Sequence, residues 1–134
     1  MDLSLEAQRV FEVPLMRFLG ARFEGWADGA AHIVLDVEPR HLNANDKLHG
    51  GTLSTLLDVS AYLAVLPTLE LGQTAVTHSI NSSMIGAVSS GEHLRVEGSV
   101  IRRGSSLAFV QSTAKVQGRI VAVATVCKTL LVLR

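Results

Sequence analysis

Between His41 and Leu66 the chain reads HLNANDKLHGGTLSTLLDVSAYLAVL: a polar loop, a glycine pair, then an apolar run carrying one carboxylate, Asp58. Leu53, Leu56, Leu57, Ala61 and Ala64 recur at helical spacing, and no Gly or Pro interrupts Thr52 to Leu66, so a buried helix is expected there. A carboxylate on such a helix is costly unless a partner holds it or a function uses it. At the helix start, backbone N–H groups near His49, Gly50 and Gly51 have no intrahelical acceptor. Glycines let a ligand approach those donors, and the helix dipole favours negative charge there. An anion-stabilising terminus with a carboxylate eight residues further on supplies the parts of an acyl-transfer site.

The elements that position these residues follow from the same pattern rules. Residues 4–19 are expected to form a short helix, with Ser4 as its N-cap and Val10, Phe11, Leu15 and Phe18 on one side, broken or restarted at Pro14. Two strands follow, Leu19–Trp26 and Ala30–Val37, joined at the hairpin signal Asp28-Gly29. In the second, Ala31, Ile33, Leu35 and Val37 alternate with His32, Val34 and Asp36, so one face is buried. Pro67 and Gly72 close the central helix. Four more strands are read at Gln73–Ile85, Glu92–Arg102, Ser106–Val116 and Ile120–Leu133, as an antiparallel meander. One long helix does not bury itself, so the sheet is expected to curl around it. Residues 1–134 read as one domain without repeats or linkers.

Composition narrows the classes. At 48% hydrophobic and 18% charged, the 134-residue chain is apolar for its size, which points to a subunit that hides surface in an oligomer. Twelve basic and twelve acidic residues cancel, so nothing marks a nucleic-acid binder. The one cysteine, Cys127, excludes an internal disulfide and a Cys-rich zinc site, and reads as a buried small hydrophobe. No HExxH, P-loop, dinucleotide fingerprint or G-x-S-x-G elbow occurs, so neither a metal nor a separate cofactor is implied. The N-terminus lacks the pattern of a signal peptide, and Lys128 interrupts the longest apolar run short of a membrane span. A cytoplasmic protein is the expectation.

Asn43, then His49-Gly50-Gly51, then Leu56-Leu57-Asp58, at those gaps, resembles the hotdog-fold acyl-CoA thioesterases, in particular the branch of phenylacetyl-CoA (PaaI-like) thioesterases and the small eukaryotic members. The likeness continues through AVTHSIN (Ala75 to Asn81), where the family carries a strand hydroxyl and an Asn, and RRGSSLAFV (Arg102 to Val110), like its basic turn and strand. It covers the chain from about Pro14 onward. One departure follows Asn81: the family often has an aromatic residue, an Arg and a Pro, whereas Ser82-Ser83-Met84-Ile85-Gly86 stands here. The resemblance implies an α+β hotdog fold, an antiparallel sheet of five to six strands around one long central helix with a short N-terminal helix. It implies hydrolysis of an aryl- or medium-chain acyl-CoA to free acid and coenzyme A, the latter being part of the substrate.

Under that resemblance Gly50 N–H becomes the oxyanion donor, Asp58 the general base or direct nucleophile, and Asn43 a second donor or a holder of the water. Thr77 takes the place of the strand hydroxyl and holds either the water or Asp58. Strand alternation puts Thr77, Ser79 and Asn81 on one face, where Asn81 would shape the same polar wall. His49, Gly51, Ser82 and Met84 are candidate substrate contacts, and Arg102, Arg103 and Gly104 a candidate phosphate-binding turn. Gly50 and Asp58 stand about 12 Å apart along a helix rising ~1.5 Å per residue, yet both must reach one thioester. A two-fold dimer that sets one helix start beside the partner's Asp58 solves this, and the family implies the same, often as a dimer of dimers.

Plainer readings compete with these. Asp58 reads equally as a partly exposed helix residue, Asn43 as an Asx-turn residue, and His49 as a loop hydrogen-bonder. Gly50 and Gly51 would also suit close helix–sheet packing, and Arg102-Arg103 a solvated turn. Ser54 and Tyr62 read as structural, and His32, His41, His78 and His93 as surface or strand histidines. A hotdog dehydratase or hydratase would want a His–carboxylate pair, for which His49 is the candidate. A non-catalytic acyl-CoA-binding module would be expected to lack Asp58.

Overall fold

The computed structural model describes residues 2–133. Helix α1 spans Leu3–Glu12, and its N-cap is Asp2, whose side chain accepts from Leu5 N–H at 3.2 Å; Ser4 falls inside the helix. Pro14 does restart the chain, as helix α2, Pro14–Leu19, which ends at Gly20 in the left-handed region. The restart changes the helical phase. Met16 and Leu19 turn inward, and Leu15 and Phe18, expected on the inner side, are exposed.

Strands β1 (Arg22–Ala27) and β2 (Ala30–Asp36) form the expected hairpin, with Asp28 and Gly29 both at positive φ, as a tight two-residue turn requires. Helix α3, Gly50–Val65, buries Leu53, Leu56, Leu57, Ala61 and Ala64 as their spacing predicts, and passes through a turn at Leu66–Thr68. Four strands follow: β3 (Gln73–Met84), β4 (His93–Arg103), β5 (Leu107–Val116) and β6 (Arg119–Val132). All six strands form one antiparallel sheet around α3, the hotdog architecture.

The strand order is β1-β2-β4-β5-β6-β3, which corrects the expected four-strand meander. Only β4, β5 and β6 follow one another across the sheet. Strand β3 lies at the far edge, paired to β6, because α3 carries the chain across the whole sheet before β3 begins. The return from β3 to β4 is not a hairpin but a crossing segment beside the start of α3. It buries Val88, whose carbonyl accepts from Leu48 N–H at 2.8 Å, and Gly91 N–H bonds Val37 O at 2.8 Å.

The helix is seated tightly on the sheet. A Cβ at Gly98 of β4 would stand 2.5 Å from the Ser60 carbonyl oxygen, so only glycine lets the two backbones meet there. Beside that contact the buried hydroxyls of Ser60 and Ser112 lie 2.9 Å apart, each within 2.9 Å of the Leu57 carbonyl. Buried hydroxyls are tolerated when they are hydrogen-bonded in this way. The result is a fixed axial position for α3, and hence for its glycine start and for Asp58 at its middle.

Candidate active site

Asp58 projects from the middle of α3 towards β3, and it does not stand alone. Thr77 Oγ1 donates to Asp58 Oδ1 at 2.7 Å, and Lys128 Nζ donates to the same oxygen at 2.9 Å and to Thr77 Oγ1 at 2.8 Å. The Lys128 side chain is 4% exposed and that of Asp58 is 37% exposed, so a buried ammonium meets a carboxylate that still reaches solvent. The Tyr62 ring centroid lies 5.9 Å from the ammonium. The cost of carrying Asp58 on an apolar helix is thus offset by an ion pair.

Lys128 was absent from the sequence-derived site. The available signal was parity: Ala124, Val126, Lys128 and Leu130 alternate along β6, and all four are buried. A lysine in phase with a core face needs an anion, and Asp58 is the carboxylate it reaches. Thr77 sits where the strand hydroxyl was expected. Asn81 does not share its face. A bulge between Thr77 and Ser79 inserts His78, so Thr77 pairs with Lys128 while Ser79 pairs with Cys127 and Asn81 with Thr125. Ser79, Asn81 and Ser83 line a separate depression of about 430 Å³ with Phe109 and Gln111 on the outer sheet surface, away from α3.

The other half of the expected site gathers at the start of α3. His49 is the N-cap residue: its Nδ1 accepts from Gly51 N–H at 2.8 Å. The Gly50 N–H has no acceptor among the described residues, and a Cβ at Gly50 would meet nothing within 4 Å. Glycine at 50 is therefore not a packing requirement; it leaves a donor open to approach. A Cβ at Gly51 would press the His49 ring at 3.0 Å. Asn43 Oδ1 accepts from Asn45 N–H at 2.9 Å and from Lys47 N–H at 3.1 Å. Two donors on Oδ1 fix the amide orientation, leaving the Nδ2 hydrogens without an acceptor among the described residues. Asn43 is thus both the turn-former and a free donor. Asn43 and Gly50 share a cleft of about 390 Å³ with Leu48, Leu53, Met84 and Val88. Asp58 and Thr77 are not among its walls; Asp58 lies about two helical turns further along α3, with Thr77 of β3 against it.

The remaining candidates divide. Met84 borders the cleft, and Ser82 lies on β3 opposite Ala124, on the helix side of the sheet. Arg103 donates to Thr68 O, Gln73 Oε1 and Gly104 O, tying the β4–β5 turn to the end of α3. Its guanidinium is committed inside the molecule, whereas Arg102 beside it is exposed. Gly104 N–H closes that turn on Leu107 O at 2.8 Å. His41, expected at the surface or in a strand, is buried: Nδ1 accepts from Glu38 N–H at 3.0 Å, so Nε2 donates to Leu19 O at 2.7 Å. Among the described residues no group of three or more His, Cys, Asp or Glu side chains is placed to hold a metal ion.

Known proteins resemble this chain in sequence and fold along most of its length. Residues 45–126 match the family model described as Thioesterase superfamily. Acyl-coenzyme A thioesterase 13 of Homo sapiens is 34% identical over 98 residues, covering 72% of this chain and 69% of that protein. A thioesterase from Haemophilus influenzae superposes with a TM-score of 0.89 at 21% identity, over 99% of this chain and 92% of its own. A hypothetical thioesterase protein from Streptococcus pneumoniae, solved with coenzyme A, does so at 0.76 and 26% identity, over 85% and 90%.

Proposed function

Since the chain belongs to the thioesterase superfamily, we propose that it hydrolyses the thioester of an acyl-CoA, with Asp58 as general base or nucleophile and the Gly50 N–H as oxyanion donor. The observation that carries this reading is the placement of the two half-sites along one exposed edge. Thr77, bonded to Asp58, lies just before the middle of β3; Met84, beside Gly50 and Asn43, is its last residue. Strand β3 has no neighbour on its outer side among the described residues. An antiparallel copy of β3 docked there, centred between Ile80 and Asn81, brings the partner's Met84 opposite Thr77. That sets the partner's Gly50 and Asn43 across from Asp58, giving two equivalent sites per dimer.

In such a site the acyl carbonyl oxygen takes the Gly50 N–H and an Nδ2 hydrogen of Asn43. Asp58 from the other subunit then acts in one of two ways. As a base it takes a proton from the attacking water and passes it to the departing coenzyme A thiolate as the tetrahedral intermediate collapses to the free acid. As a nucleophile it attacks the carbon itself, expelling the thiolate to leave a mixed anhydride that water hydrolyses to the free acid and Asp58, the proton released going to the thiolate. The cleft walls from Leu48, Leu53, Met84, Ile85 and Val88 suit an apolar acyl group, aryl or medium-chain. Arg102, free of the ties that hold Arg103, is the stronger candidate for the coenzyme phosphates. A hydratase reading is weaker. His49 Nδ1 already accepts from Gly51, so in the neutral ring Nε2 carries the proton and offers no base.

The test is thiol release from a panel of aryl- and medium-chain acyl-CoAs by the wild type and Asp58→Asn. The substituted amide keeps an oxygen for Thr77 and Lys128 but loses the second carboxylate oxygen and the charge that neutralises the buried ammonium, so circular dichroism and thermal melting check the fold before rates are compared. Turnover is expected to fall by at least ~10². An unaltered rate in that variant removes Asp58 from the chemistry.

A further inference from the structure

We infer that Lys128 is a positioning residue for Asp58: its ammonium holds Oδ1 and thereby presents Oδ2 to the reacting water or acyl carbon. The inference rests on the hydrolytic reading above and gives a role to a buried cation which that reading leaves unused. Oδ1 accepts two hydrogen bonds, from Thr77 at 2.7 Å and from Lys128 at 2.9 Å, while Oδ2 has no donor among the described residues. The two oxygens of one carboxylate are therefore not equivalent, and the free one is the reactive one.

Thr77 belongs to the same clamp. Its single hydroxyl proton goes to Oδ1, and its oxygen accepts from Lys128 at 2.8 Å. It has no proton left to donate to a water, so of its two expected roles it holds Asp58. The three groups close a triangle whose corners come from three elements: α3, β3 and β6. Lys128 is the stiffest corner. It is buried, and its backbone pairs with Thr77 on one side and Ala108 on the other, in the interior of the sheet. Asp58, more than a third exposed on the helix, would rotate about its side-chain bonds without that anchor. The ammonium reaches Asp58 from the core side and leaves the solvent side of the carboxylate clear for substrate.

The test uses the full chain and the acyl-CoA turned over fastest, comparing Lys128→Met, Asp58→Asn and the double variant. Lys128→Met is expected to lower kcat by about tenfold or more, as a misaimed catalytic group does, with KM held within about twofold. In the Asp58→Asn background the same substitution is expected to change nothing further, since nothing is left to aim. A wild-type kcat in Lys128→Met, alongside an impaired Asp58→Asn, overturns the positioning role and leaves the hydrolytic reading standing. So does an equal further loss in the double variant, because Lys128 would then act without Asp58. Circular dichroism checks each fold; should the Met variant fail to fold, Lys128→Leu, which likewise has no donor, is scored on the same criteria. Absence of thioesterase activity in the wild type overturns both readings.

Discussion

Lys128 and Asp58 show why a charge is read best against its neighbours' phase. Asp58 was legible from the sequence because it stands on an apolar helix eight residues after a glycine pair. Lys128 was not, because its meaning depends on a residue seventy positions away that only the folded sheet brings within 2.9 Å. Gly50 offers a sharper test, since its plainer reading as a packing glycine is excluded by the open space around it. Gly50→Ala is expected to hold or slightly raise the melting temperature, a Gly to Ala change at ordinary φ being worth about 0.4–1 kcal/mol. The added methyl stands beside the open N–H, so turnover is expected to fall by about 10². A second residue-scale prediction concerns Asp36, where the His93 ring first and Arg22 second hold the carboxyl below its ordinary value of 3.8. A lowered folded value stabilises the protein above the ordinary value and is lost as pH falls through the folded one. Asp36→Asn should therefore lower the melting temperature slightly near neutrality, with the difference from wild type starting to shrink below about pH 3.8 and disappearing only once pH has fallen through the lower folded value, as thermal scans would show.

Helix and strand types followed from periodicity because burial enforces it. The central helix and the six strands lie within a few residues of where the pattern puts them. Strand order did not follow, because spacing along a chain says nothing of which edge a crossing helix delivers it to. The His78 bulge was equally hidden: alternation predicts one face for Thr77 and Asn81, and a single inserted residue separates them. Gly98 marks the seat of the helix, and its role is visible only once Ser60 is above it. Gly98→Ala forces α3 off β4 and is expected to cost about 1–3 kcal/mol of stability by overpacking, measurable in urea unfolding. Because the same helix carries Gly50 and Asp58, activity should fall in the surviving folded fraction as well.

At the scale of the whole molecule, the proposed site exists only between two copies. Gly50→Val and Asp58→Asn should each be nearly inactive as pure homodimers. Mixed and allowed to exchange, half of the dimers become hybrids, each with one intact site of two, so about a quarter of wild-type turnover should return. No recovery after demonstrated subunit exchange would mean that each chain works alone. Sedimentation is expected to show a dimer or larger, and Ile80→Lys on the exposed edge should shift it towards the single chain with loss of activity. The twelve-residue length of that edge, with Val76, Ile80 and Met84 uncovered, carries one more consequence. If the site is shared between copies as proposed, a solitary copy would be at once silent and adhesive, and the abundance of the protein would act as its own switch. Diluting it should extinguish turnover more steeply than in proportion, and crowding copies together should restore it.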